Sequence, residues 1–122
     1  MITLIVCALG LTIVQLWLIP ASLNLGSLQY LISNRDEAAP EDSIRLGRAR
    51  RAATNLQESL PAFLALAILS VVLEVDNYDL ALYWLAFRVA YLVSYVVGIT
   101  YVRTVFWLGS IICLVLMAVS LI

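Results

Sequence analysis

No histidine and no lysine occur among these 122 residues, and cysteine occurs only twice. Without histidine, the Ser–His and Cys–His pairs that activate many side-chain nucleophiles lack their base, and a zinc site loses its commonest nitrogen ligand. No metal site is expected. Cys7 and Cys113 each lie inside a long apolar run. There a free thiol behaves as a small hydrophobe and says nothing about the redox compartment. Charge of either sign is scarce too: 12% of residues are charged against 64% hydrophobic, and mean hydropathy is +1.03. A soluble domain of this size needs far more charge to cover its surface. A net charge of −1 offers nucleic acid no basic face, so no nucleic-acid partner is expected.

What is present is apolar sequence in long runs. Met1 to Asn34 contains no charged residue. It has neither the basic start nor the short apolar core of a cleaved signal peptide, and is expected to remain as a first membrane helix. Wholly helical, it would be about 50 Å long, against a hydrocarbon core of about 30 Å. It must therefore tilt, kink or protrude, and Pro20 marks the kink candidate. The pattern predicts an all-α membrane protein, one four-transmembrane-helix domain over residues 1–122. Its helices are expected at roughly 2–33, 43–74, 79–98 and 103–121. Asn34 to Asp42, with Pro40, forms the first loop; Glu74 to Asp79 makes a short acidic turn; Gly98 suits a helix end.

Charge placement orients these spans. All seven basic residues are arginine, and Arg35, Arg45, Arg48, Arg50 and Arg51 gather in and just after the first loop. Arg103 falls at the third. Four spans put those two loops on one side and the acidic turn on the other. Under the positive-inside rule the first and third loops face the cytoplasm.

Two helices carry polar groups that a plain lipid-facing anchor would lack. Arg48, Arg51, Asn55 and Glu58 follow a 3-4-3 spacing, which places them on one face of the second helix. Arg88, Tyr91 and Tyr95 follow a 3-4 spacing on the third. Glu58 and Arg88 lie well inside their spans, where an isolated charge costs about 2.5–3.5 kcal/mol on insertion scales. A purely structural Glu58–Arg88 pair would account for two residues but not for two tyrosines, an asparagine and the extra arginines. An excess of cations over nearby anions points instead to a negatively charged ligand. Arginines suit carboxylates, and Asn55 with Glu58 suits an amide and an ammonium. A small anionic peptide with a free amino group fits that inventory. The chain offers no evident nucleophile, so the reactive atom belongs to the ligand. A thiol would serve if a nearby cation lowered its pKa.

Arg51-Ala-Ala-Thr-Asn55-Leu-Gln-Glu58-Ser-Leu-Pro61-Ala-Phe63 resembles the R-A-x-x-N-x-x-E-x-x-P-x-F signature of the MAPEG superfamily, the membrane-associated proteins in eicosanoid and glutathione metabolism. Arg88-Val-Ala-Tyr91-Leu-Val-Ser-Tyr95, followed by Arg103-Thr104, resembles the same family's second signature. That resemblance implies a homotrimer of four-helix subunits with glutathione, as co-substrate, held between neighbours. By position, Arg51, Asn55 and Glu58 would contact glutathione, and Arg88, Tyr91 and Tyr95 would line the site. Arg103 matches the arginine near the glutathione sulfur, and Thr104 a position where some members carry a hydroxyl. Arg35, and Arg48 on the same face as Arg51, complete the implied glutathione set. A lipophilic electrophile would arrive through membrane lipid. The short chain without lysine resembles the prokaryotic members, which implies a bacterial inner membrane.

Two functions remain open on this reading. One is a glutathione-dependent membrane transferase or peroxidase of the microsomal type, acting on a lipophilic electrophile or a lipid hydroperoxide. The alternative is a non-catalytic lipid-binding or scaffold member of the same fold. Retention of Arg103 favours the enzyme. A small multidrug-type transporter ranks last, because Met1 to Asn34 lacks the acidic residue such chains carry in their first helix. Pro61 is expected to bend the second helix, and Trp17, Trp84 and Trp107 to anchor at interfaces or fill the bundle.

Overall fold

The computed structural model describes residues 1–23 and 44–122. Arg35 and the rest of the first loop lie outside the described residues. Everything regular in the described chain is helical, and four helices are long and apolar enough to cross a membrane: Ile2–Ser22, Ile44–Val72, Tyr78–Val97 and Thr100–Ser120. The protein is an all-α, four-span membrane protein.

The first span is not one uniform helix. It runs as α1 (Ile2–Ile13), widens into a π-helical segment (Val14–Leu18), and resumes as α2 (Ile19–Leu23). The Ile19 N–H reaches back to the Val14 carbonyl, one residue further than an α-helix would take it. Pro20 supplies the cause. It has no N–H to donate to the Leu16 carbonyl, and its ring would clash there; a widened turn moves that carbonyl aside.

The second span, α3 (Ile44–Val72), continues through Pro61, and its buried positions are rich in small side chains: Ala49, Ala52, Ala53, Ser59, Ala67 and Ser70. In lipid, the tails are as apolar as the helix surfaces. Helices therefore associate by close van der Waals fit rather than by expelling water, and small residues permit the approach. The third and fourth spans, α4 (Tyr78–Val97) and α5 (Thr100–Ser120), share the most extensive helix contact. At Gly109 the fourth span packs against the Phe87 ring of the third. A Cβ there would lie 2.9 Å from the Phe87 ring, so a larger residue would force the helices apart.

The packed centre draws on every span: Leu4 and Ala8 from α1, Leu56, Phe63 and Ala67 from α3, Ala81 and Trp84 from α4, Cys113, Leu114 and Met117 from α5. Phe63 and Trp84 stack at 3.9 Å between centroids with planes 7° apart. Large apolar side chains elsewhere face outward, Trp17, Tyr101 and Val119 among them, as a lipid-solvated surface allows.

Both described turns are built from left-handed caps. After α3, Glu74 takes φ 55°, and the Val75 N–H returns to the Ser70 carbonyl at 3.0 Å in a Schellman arrangement. After α4, Gly98 takes φ 92° and both Gly98 and Ile99 N–H groups bond the Ser94 carbonyl. The first turn carries a buried polar knot. Asn77 donates its Nδ2 to Ser70 Oγ at 2.9 Å and accepts from Ser120 Oγ at 2.8 Å, tying the ends of α3, α4 and α5 together. Met1 borders the same acidic turn, so the amino terminus and Glu74–Tyr78 share one end of the bundle. Arg103, Tyr95 and the start of α3 share the other.

Candidate functional site

The arginine-rich end is organised around Tyr95. Arg51, from the first turns of α3, donates its Nε–H to the Tyr95 hydroxyl at 3.0 Å. Arg103, from the first turn of α5, lays its guanidinium over the Tyr95 ring, 4.5 Å from the centroid. The tyrosine is thus held edge and face by cations from two other helices. One helical turn deeper, Tyr91 is buried with its ring tilted by 56° and 5.6 Å from that of Tyr95.

Arg88 lies a further turn in. Only 1% of it is exposed, and it donates Nη1 to Asn55 Oδ1 across from α3. Its guanidinium carbon is 5.6 Å from the Trp84 ring and 6.0 Å from the Tyr91 ring. Arg88 Nε and Nη2 are buried without a partner among the described residues. Ring faces stabilise a cation by about 0.5–1 kcal/mol at exposed sites and about 2 when desolvated. Two such contacts can offset the cost of about 2.5–3.5 kcal/mol for a charge deep in the membrane, but they leave the Nε and Nη2 donors without an acceptor. The protein groups around Arg88 leave its hydrogen bonding incompletely satisfied, and an anion would complete it.

Glu58 attracts Arg88 through space but accepts no hydrogen bond from those two nitrogens. It is exposed on α3, and the side chain that meets Arg88 is the neutral Asn55. Arg48 goes elsewhere as well: its guanidinium rests against Gly98, with Nη1 2.7 Å from where a Cβ would sit, at the carbonyl end of α4. A cation there complements the helix dipole.

Between these groups lies a pocket of about 170 Å³, lined by Asn55, Tyr91, Arg103, Thr104 and Trp107. Asn55, Tyr91, Arg103 and Thr104 therefore converge on one cavity, with Arg51 and Tyr95 buttressing Arg103 and Arg88 buttressing Asn55. Arg48 and Glu58 stand outside the lining, and Arg35 lies beyond the described residues. The Thr104 hydroxyl makes only a long, 3.5 Å contact to the Thr100 carbonyl, which leaves it available to a ligand.

Trp107 was expected to anchor or fill the bundle, and the structure puts it in the pocket wall. The signal was present in the spacing: Trp107 follows Arg103 by four residues and Thr104 by three, which sets all three on one face of α5. Gln15 was also passed over. It sits buried in the π-helical segment, and its amide oxygen has no partner among the described residues. A glutamine in an uncharged run carries no periodicity signal.

The arrangement defines a class: a four-span membrane protein with a cation-lined pocket between α3, α4 and α5 at one end of the bundle. The MAPEG family model matches residues 2–122, and the chain belongs to the MAPEG family. That family includes membrane glutathione transferases and peroxidases as well as non-catalytic members. Neither a curated protein nor a solved structure matches the chain.

Proposed function

We propose that this protein is a glutathione-dependent membrane transferase or peroxidase in which Arg103 holds glutathione as its thiolate. The observation that carries the reading is the position of Arg103. It borders the pocket beside Asn55, Tyr91 and Thr104, and the ring it rests on, unlike a carboxylate, leaves its charge unneutralised. A free thiol ionises near pH 8.5 and falls by units beside a cation, each unit corresponding to about 1.4 kcal/mol. A guanidinium held in place beforehand provides that stabilisation with little reorganisation. Arg51, Asn55, Glu58, Arg88, Tyr91, Tyr95 and Thr104 are assigned to binding the peptide, with Arg35 and Arg48 as the outlying members of the set.

The reaction follows from the thiolate. With an electrophile, sulfur attacks the electron-poor carbon, and the proton released on ionisation leaves to solvent. With a lipid hydroperoxide, sulfur attacks the terminal peroxide oxygen, the O–O bond breaks, and the alkoxide takes up a proton. A second glutathione then reduces the resulting sulfenic acid to disulfide and water.

The reading extends to a homotrimer with glutathione between subunits. Its support is Glu58, an acid exposed within an apolar span. Bare to lipid, a carboxylate there would be costly, and a neighbouring subunit with an ammonium-bearing ligand would cover it. Placement in a bacterial inner membrane is carried over from the resemblance to prokaryotic members, and the orientation with the first and third loops cytoplasmic rests on arginine at one end and Glu74, Asp76 and Asp79 at the other.

The test is ultraviolet thiolate absorbance when glutathione is added to detergent-purified protein at neutral pH, with Arg103→Ala as control. A saturable signal that the variant loses is the expected result. No signal from well-folded protein would overturn the enzyme reading in favour of a lipid-binding or scaffold role.

A further inference from the structure

The pocket is small, and its size constrains what reacts there. At about 170 Å³ it is close to the roughly 150 Å³ of a cavity that accommodates a single benzene ring, well below the roughly 300–1,000 Å³ of sites that engulf drug-sized ligands. The walled part of the pocket takes a small group, and the rest of a lipid-length molecule extends beyond it.

The walls select among reacting ends. Two of the five lining side chains, Tyr91 and Trp107, are aromatic. Trp107 follows Arg103 by one turn of α5, and α5 runs inward from Thr100. The indole therefore lies about 6 Å further along the helix axis than the cation. It is 39% exposed, so its face is open rather than packed away. The rotation of α5 is fixed by its packing against the rest of the bundle. Gly109 abuts the Phe87 ring, and Ser110, Leu114 and Met117 are buried further along the helix. An indole face is electron-rich and stacks best on an electron-poor ring. Arg103 beside it favours the nitro or carbonyl oxygens that make a ring electron-poor.

We propose that Trp107 is a specificity-determining residue: its indole is the wall on which a flat, electron-poor ring of the lipophilic co-substrate stacks, while the rest of that molecule stays in lipid. The inference rests on the reading of Arg103 as the thiolate-holding residue. With a ring bearing a halide, the thiol proton leaves to solvent and sulfur attacks the substituted carbon. The C–S bond forms, the carbon–halogen bond breaks, and the halide departs with the bonding pair.

Two measurements on the full-length protein in detergent test it. The first compares glutathione conjugation of 1-chloro-2,4-dinitrobenzene with addition to a straight-chain alkenal. Trp107→Leu should lower kcat/KM for the ring about tenfold more than for the alkenal, chiefly through KM. Trp107→Phe should restore most of the loss. Equal losses for both probes, or none, would overturn the proposal. The second needs no thiol chemistry: quenching of intrinsic fluorescence by unreactive 2,4-dinitrotoluene should be saturable, with the saturable part absent in Trp107→Phe. If that part persists unchanged in the variant, the ring lies elsewhere and the proposal fails. Absence of the thiolate signal alone would sink the glutathione reading while saturable quenching through Trp107 still upheld the ring site.

Discussion

At the acidic end of the bundle, Asn77 uses both halves of its amide: Nδ2 donates to Ser70 and Oδ1 accepts from Ser120. Opposite, Arg88 is equally buried, yet two of its three nitrogens find no partner among the described residues. Arg103 there rests on a tyrosine ring. Both clusters join three helices. The first is neutral and closed; the second is cationic and open. A polar network whose donors and acceptors are all matched holds a fold together, whereas one with surplus donors of a single sign is completed by something that binds.

Four substitutions break or sharpen that contrast. The largest effect is expected from Arg103→Ala, which should lower kcat/KM by about 10²–10³-fold, as loss of a preorganised charge stabiliser does. Its thermal midpoint should match the parent, since Arg103 sits at a helix start rather than in the core. A matching loss of stability would make the cationic cluster structural too. Next, Arg88→Met should weaken glutathione affinity about tenfold or more through loss of a charge-assisted donor. Ligand-free stability should hold or rise, because an apolar side chain of similar length removes a buried charge. Calorimetric titration beside a melting curve separates the two effects. At the other end, Asn77→Ala should cost about 1–2 kcal/mol of unfolding free energy in micelles, from two lost interhelical bonds. Activity of the folded fraction should be unchanged; lost turnover would show that the two ends communicate. The smallest effect belongs to Glu74→Gly. Relief of a left-handed non-glycine residue, less the added freedom of the unfolded chain, should stabilise by about 0.5–1 kcal/mol. Equilibrium unfolding checks its sign.

Legibility from sequence divided along physical lines. Hydropathy over runs of about 20 residues reports a helix that crosses a membrane whatever its neighbours are. The four spans and the all-α class were therefore readable. The local effect of Pro20 was readable as a site of irregularity, but not as a π-helical turn, because several distortions relieve the same clash. Within one helix, spacing reports which residues share a face, so Arg88, Tyr91 and Tyr95 could be grouped. Spacing is silent on what that face meets. It gave no reason for Arg88 to meet Asn55 instead of Glu58, for Arg48 to cap α4 at Gly98, or for Asn77 to bond across helices rather than cap its own.

Sequence by itself determined that this chain is a membrane bundle, that its cations gather toward one end, and, through two motifs, which family it belongs to. Those properties are sums over local composition, and no partner helix is needed to express them. Tertiary structure alone decided which cations remain uncompensated and how large the pocket is. It also decided that Trp107 lines the pocket. Each depends on the rotation and depth of one helix against another. Side-chain fit at contacts such as Gly109 against Phe87 sets those, over distances that no reading along a single helix reaches.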